Sequence, residues 1–208
     1  MGRKFAEIAF TDTVKQVQTA MGSRRSYRKM ETGGEAGDRL GEQEAAFIGA
    51  RDSFYMASVG ETGWPYVQHR GGPAGFVRVL DEGSIGFADF GGNKQYVSVG
   101  NLMTDDRVSL FFMDYANRAR LKILGRVKLV GGQSADDGAG ILGRLQVPEY
   151  RATVERGFVI GVEAFDWNCP QHITPRYTLD QVETATGALR NRIAELEALL
   201  QHHGIKAN

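Results

Sequence analysis

The chain changes its hydrophobic rhythm at about residue 54. Before it, "TDTVKQVQTAMG" repeats apolar Val14, Val17 and Met21 at helical spacing, with Thr11 to Thr13 as caps and Gly22 as a stop. "SRRSYRKMETGGEAGD" then reads as a polar loop whose Arg24, Arg25, Arg28 and Lys29 face solvent, and "EQEAAFIGARD" as a second short helix. Beyond it, "FYMASVG", "WPYVQHR", "GFVRVL", "SIGFADF", "RVSLFFMD" and "ARLKILGRVKLV" are short runs rich in β-branched and aromatic residues. Turn-forming "ETG", "RGGP", "DEG" and "YAN" separate them.

One helix-like insertion, "NKQYVSVGNLMTDD", lies between the fourth and fifth strands, with Val97, Leu102 and Met103 expected inward. A helix in "SADDGAGILGRLQ" and a strand in "GFVIGVEAFDW" follow. The last helix spans about 179–203; Leu189, Ile193, Leu196 and Leu200 form a coiled-coil-like seam, Val182 precedes them, and Gly187 weakens the middle. Short strands joined by tight turns predict a mainly β, antiparallel barrel with flanking helices. The expected organisation is N-terminal helices over 1–50 packing on a barrel over 51–177, then a C-terminal helix over 178–208 that packs on its own domain or pairs across a dimer.

Charge and composition narrow the classes. Lys plus Arg equals Asp plus Glu at 25 each, which argues against a nucleic-acid or anionic-membrane partner. The N-terminal apolar run is too short for a signal peptide, Ala6 replaces the Ser or Thr of a myristoylation motif, and no stretch is long and apolar enough to span a bilayer. A soluble cytoplasmic protein is the expectation. The 27 glycines cluster between β-like runs and read as turns.

Candidate chemistry concentrates in "HRGGPAGFVRVLDEGSIGFADFGGNKQ". Arg70 precedes two glycines that allow close backbone approach to a ligand. Asn93, Lys94 and Gln95 stand where a turn enters the predicted helix, a seat suited to a phosphate. Arg70 and Arg78, expected on neighbouring strands, could converge on the same anion, with Arg120 nearby. The glycines match neither a P-loop nor a dinucleotide fingerprint, and hairpin turns with surface basic residues are the competing explanation. Asp89 is either a hydrogen-bond acceptor beside a ligand or a turn residue. His69 either faces the phosphate or is a solvated strand histidine.

The second candidate region is "FDWNCPQHITPRY". One cysteine cannot form an internal disulfide, and a zinc site wants more ligands than Cys169 and His172 supply. A Cys–His nucleophilic pair, a structural loop fixed by Pro170 and Pro175, and a loop lying over a ligand stay open.

The order "GWPYVQHRGGPAGFVRVLDEGSIGFADFGGNKQ", "NLMTDDRVSLFF", "RLKILGRVKLV" resembles the pyridoxamine 5′-phosphate oxidase-like family of FMN-binding split barrels. "DWNCPQHITPR" is similar to the C-terminal signature of an oxidase-related branch of that family, and the resemblance covers about residues 45–177. It implies a split β-barrel, non-covalent FMN, a homodimer with two FMN sites at its interface, and flavin-dependent oxidation or reduction of a small molecule, with NADH or NADPH as a possible donor. The family's pattern implies that His69, Arg70, Gly71 and Arg78 line the flavin, and that Ala88, Asp89, Asn93, Lys94 and Gln95 hold its phosphate. Arg120 would approach the ring or ribityl chain from the partner subunit. Trp167, Asn168, Gln171 and His172 would close over the cofactor, Cys169 being packed; His172 is the one catalytic candidate. The authentic vitamin B6 oxidase ends in basic and aromatic residues, whereas this chain ends in a polar, seam-bearing helix, so B6 oxidation does not carry over. A flavin carrier, a redox or stress sensor, and the same barrel holding haem (with His172 as axial ligand) or a deazaflavin are the alternatives.

Overall fold

The computed structural model describes residues 3–32, 38–132, 139–167 and 169–204. They form two compact units, one of residues 1–114 and 119–170, the other of 115–118 and 171–208.

The first unit is built on seven antiparallel strands: β1 (Ser53–Val59), β2 (Pro65–Gly71), β3 (Val77–Asp81), β4 (Ser84–Phe90), β5 (Arg107–Asp114), β6 (Ala119–Val130) and β7 (Val154–Trp167). Their order in the sheet is β2-β1-β5-β6-β7-β4-β3. The strands form because β-branched and aromatic residues alternate with polar ones, burying every second side chain along β5. β4 is buried on both faces; on its outer side a Cβ at Gly86 would meet Leu145 of helix α6 (Ala139–Leu145) at 2.8 Å.

The sheet curls until its two ends approach, giving an antiparallel split barrel filled with aromatic rings. Phe54 stacks on Phe112 at 4.8 Å and Phe87 on Phe158 at 4.8 Å, and Phe54 meets Phe87 edge-on at 5.2 Å. All four rings are almost fully buried, so four strands converge on one apolar core. At the barrel's seam the chain passes from β2 to β3 through "GGP". A Cβ at Gly72 would sit 2.7 Å from Phe76 Cγ, so this glycine lets the backbone fold over a core ring.

Helices α1 (Arg3–Ala9) and α4 (Glu42–Gly49) pack on β7 and β3. Glu44 of α4 accepts the Gly41 N–H at 3.0 Å and the Trp167 indole N–H at 2.7 Å, tying the helix start to the end of β7. Helix α2 (Asp12–Ala20) is capped by Thr11, whose hydroxyl accepts the Val14 N–H.

The segment expected to be a loop after Gly22 is instead helix α3 (Arg24–Thr32). Tertiary contacts override its polar composition: Tyr27 meets Phe10 edge-on at 5.6 Å, and Glu31 pairs with both Arg24 and Lys15. Arg25, Arg28 and Lys29 are exposed as expected, but Arg24 is half-buried, drawn in by Glu31 and by Gln18, whose Oε1 accepts a hydrogen bond from its Nη1 at 3.2 Å. Helix α5 (Val97–Thr104) starts four residues later than the pattern suggested, because Lys94 and Tyr96 take left-handed conformations with φ of 56° and 53°. Leu102 is buried as expected, but Val97 and Met103 are exposed.

In the second unit, helix α7 (Leu179–His202) is capped reciprocally by Thr178 and Gln181. Its seam residues Leu189, Ile193 and Leu196 are exposed. Arg176 lies over the Tyr115 ring at 4.9 Å. Among the described residues no helix is long and apolar enough to cross a membrane.

Candidate functional site

Strand β4 and the start of β7 create the site through register. Asp89 stands directly opposite Arg156, so the two side chains emerge on the same face as neighbours. The register then slips: Phe90 pairs with Val154, leaving Glu155 as the extra residue of a bulge. That bulge turns Glu155 into a cavity shared with Gln68, Arg70, Asp89, Asn93, Lys94, Tyr96 and Ser98.

Arg70 reaches this face from β2, at the other end of the strand order, and closes the barrel's seam. Its Nη1 lies 2.6 Å from Asp89 Oδ1, and its guanidinium lies 5.0 Å from the Phe158 ring centroid, capping the aromatic core. Asp89 is 6% exposed. Burial pushes its carboxyl above the ordinary range, although Arg70 and Arg156 both pull it down. Arg156 Nε lies 3.3 Å from Asp89 Oδ2 without hydrogen-bond geometry, while its Nη2 meets Glu155 at 2.8 Å. Arg70 Nε is likewise buried without a hydrogen-bond partner, so both arginines keep unspent donors.

The loop from β4 to α5 is held over this group. Tyr96 lies under the Arg156 guanidinium at 5.1 Å and donates its hydroxyl to Glu155 at 3.3 Å. Asn93 Oδ1 accepts the Gln95 N–H at 3.2 Å, the short-range bond that makes Asn a turn former. Two consecutive-but-one left-handed residues, Lys94 and Tyr96, cost about 1–3 kcal/mol each, a strain that clusters at ligand-handling loops. At the first turn of α5, Ser98 donates to Gln68 Oε1 at 2.7 Å; the helix has no side-chain cap.

Two cavities adjoin here, of about 200 and 180 Å³, both lined by Gln68, Arg70, Asp89 and Phe90. The first is polar and carries Asn93, Lys94, Tyr96, Ser98 and Glu155. The second adds His69, Gly71, Phe76, Phe87 and Ala88, a more apolar slot. The Arg70–Asp89 pair stands on the boundary of the two.

Of the residues singled out in the sequence, the structure therefore gathers His69, Arg70, Gly71, Ala88, Asp89, Asn93 and Lys94. His69 is exposed and meets Tyr55 edge-on at 5.6 Å. Arg78 does not join them: β2 and β3 do not pair with each other, and Arg78, next to buried Val77, is on the exposed face of β3 opposite Gly86. Gln95 is exposed and outside both linings. Arg120 sits half-buried opposite Met113, its Nε buried without a hydrogen-bond partner. Trp167 is committed to α4 through Glu44 and a 4.7 Å edge contact with Phe47. Cys169 is exposed, not packed. Gln171 and His172 belong to the second unit and are exposed, His172 with φ of 62°. Asn168 lies outside the described residues. Among the described residues no three His, Cys, Asp or Glu gather to hold a metal.

Gln68, Tyr96, Ser98, Glu155 and Arg156 were not foreseen. The strand that carries Arg156 was expected to start at Gly157, and only the β4–β7 register places its guanidinium beside Asp89.

A search of curated proteins gives no match. Among solved structures, HupZ of Group A Streptococcus is 14% identical, with a TM-score of 0.45 over 66% of this chain and all of that one. An FMN-binding protein of Syntrophomonas wolfei is 15% identical, with a TM-score of 0.43 over 74% of this chain and 97% of that one. An F420 reductase is 18% identical, with a TM-score of 0.44 over 61% of this chain and 98% of that one. The family model described as pyridoxamine 5′-phosphate oxidase matches residues 40–153, which run from the start of α4 through the barrel to the edge of the Asp89–Arg156 site. More than half of the chain is matched, and the protein belongs to the pyridoxamine 5′-phosphate oxidase family.

Proposed function

We propose that the chain binds FMN non-covalently at the paired cavities and acts as a flavin-dependent oxidoreductase on a small molecule. The observation that carries this reading is the division of labour across the Arg70–Asp89 boundary. On one side stand Lys94, Asn93, Ser98 and Arg70, a complement proportionate to a phosphate dianion. On the other stand Phe76, Phe87 and Ala88, walls for a flat ring. Ligand pockets usually measure about 300–1,000 Å³; neither cavity alone reaches that size, and the two together do.

When bound, FMN supplies a ring that accepts and passes electrons. The chain's part is binding and exclusion of water. Lys94, exposed on the loop, reaches an anion from solvent, and Arg70 is fixed by Asp89 and the aromatic core. Phe76 and Phe87 give the slot its apolar walls. We further propose that two copies associate, because the α7 seam is spaced for pairing and exposed in a single chain.

The test is reduction of the FMN-loaded protein. Bleaching of the flavin absorbance by NADH or NADPH at a catalytic rate supports an oxidoreductase. Bleaching by dithionite alone assigns the protein to flavin carriage or sensing instead.

A further inference from the structure

We propose that Asp89 is an internal counter-anion whose protonation accompanies binding of a phosphate dianion, so that ligand binding at this site takes up a proton. The inference rests on the anion-binding reading above and adds a regulation to it. In the described structure Arg70 from β2, Arg156 from β7 and Lys94 from the loop before α5 face two carboxylates, Asp89 and Glu155. The surplus is one positive charge. A dianion held by Arg70 and Lys94, which line the cavity, leaves the whole cluster one negative charge in excess, and one proton removes it.

Asp89 is the carboxylate placed to take that proton. Its side chain is 8% exposed, against 19% for Glu155. Glu155 accepts hydrogen bonds from both Tyr96 and Arg156, whereas Asp89 Oδ2 has only the misaligned Arg156 Nε beside it. A proton on Oδ2 converts an acceptor that repels a phosphate oxygen into a donor that can meet one. Burial already holds this carboxyl above its ordinary range. The remaining titratable neighbours are Tyr96, which stays protonated near neutrality because burial raises it, and His69 in the adjoining cavity.

Calorimetric titration of the full chain with FMN and, separately, with inorganic phosphate tests this, run at pH 7 in two buffers of different ionisation enthalpy. The wild type is expected to take up close to one proton per ligand, about the count one carboxyl supplies. The phosphate's own ionisation, with a second pKa near about 6, would release protons, so the sign discriminates. Asp89→Asn is expected to abolish the uptake and His69→Gln to keep it. Binding without uptake in the wild type, uptake that survives in Asp89→Asn, or uptake lost in His69→Gln each overturns the proposal. Should Asp89→Asn not fold, the wild type and His69→Gln decide it. Phosphate bound with a proton but FMN refused overturns the flavin reading and leaves this one standing; refusal of both ligands overturns both.

Discussion

Burial separates what Arg70 and Lys94 can do, and so separates the effects of removing them. Arg70 is the buried partner of Asp89 and the cap of the Phe158 ring. Arg70→Ala leaves a buried carboxylate short of its main partner, and urea unfolding should show a loss of about 3–5 kcal/mol. Lys94 is exposed, so Lys94→Ala should leave unfolding unchanged and weaken FMN binding by about 1–3 kcal/mol. Equal effects of the two changes on stability would contradict this assignment. Asp89 also gives a pH dependence of definite sign. Its carboxyl is raised above 3.8 in the folded protein, so the folded state holds a proton that the unfolded state releases. This group's contribution therefore falls as pH rises through 3.8 towards the folded value, then stays flat. Urea midpoints compared between wild type and Asp89→Asn across that range should show the slope only in the wild type.

At the scale of elements, the strands were legible because each carries its own alternation and is bounded by turn residues; six of the seven were delimited to within two residues. What the sequence could not reveal depends on pairing. Nothing local says that β2 and β3 do not pair across "GGP", or that Arg70 turns to Asp89 while Arg78 stays exposed on β3. Arg156 escaped notice because its place beside Asp89 comes from inter-strand register and a bulge. The polar α3 forms through Tyr27 and Glu31 contacts with other helices, which no propensity encodes. The glycines of the "RGG" stretch were read as room for a ligand, but Gly72 makes room for Phe76. Gly72→Ala should accordingly cost about 1–3 kcal/mol in thermal or urea unfolding, the scale of an overpacked core. A neutral substitution would show that the β2–β3 passage relaxes freely.

For the whole molecule, family membership and the split barrel agree with the resemblance carried by the motifs, and of the residues it pointed to, the structure gathers some at the paired cavities and places others elsewhere. The cavity residues from β2, β4 and the following loop were recognisable, whereas the stretch "DWNCPQHITPR" has its Trp167 turned to α4 and Cys169 exposed. Deleting the chain after Leu179 should lower the mass in solution from two copies to one if the exposed α7 seam holds them together; an unchanged dimer would place the contact elsewhere. In the function proposed above, the polar cavity beside Arg70, Asp89 and Lys94 receives the phosphate of a flavin. The most direct test is titration of the purified chain with FMN and with riboflavin, which lacks the phosphate, followed by flavin fluorescence. FMN should bind saturably and at least about tenfold tighter than riboflavin, the weight of one charge-assisted hydrogen bond. Riboflavin bound as tightly as FMN, or no saturable binding of FMN, would contradict it.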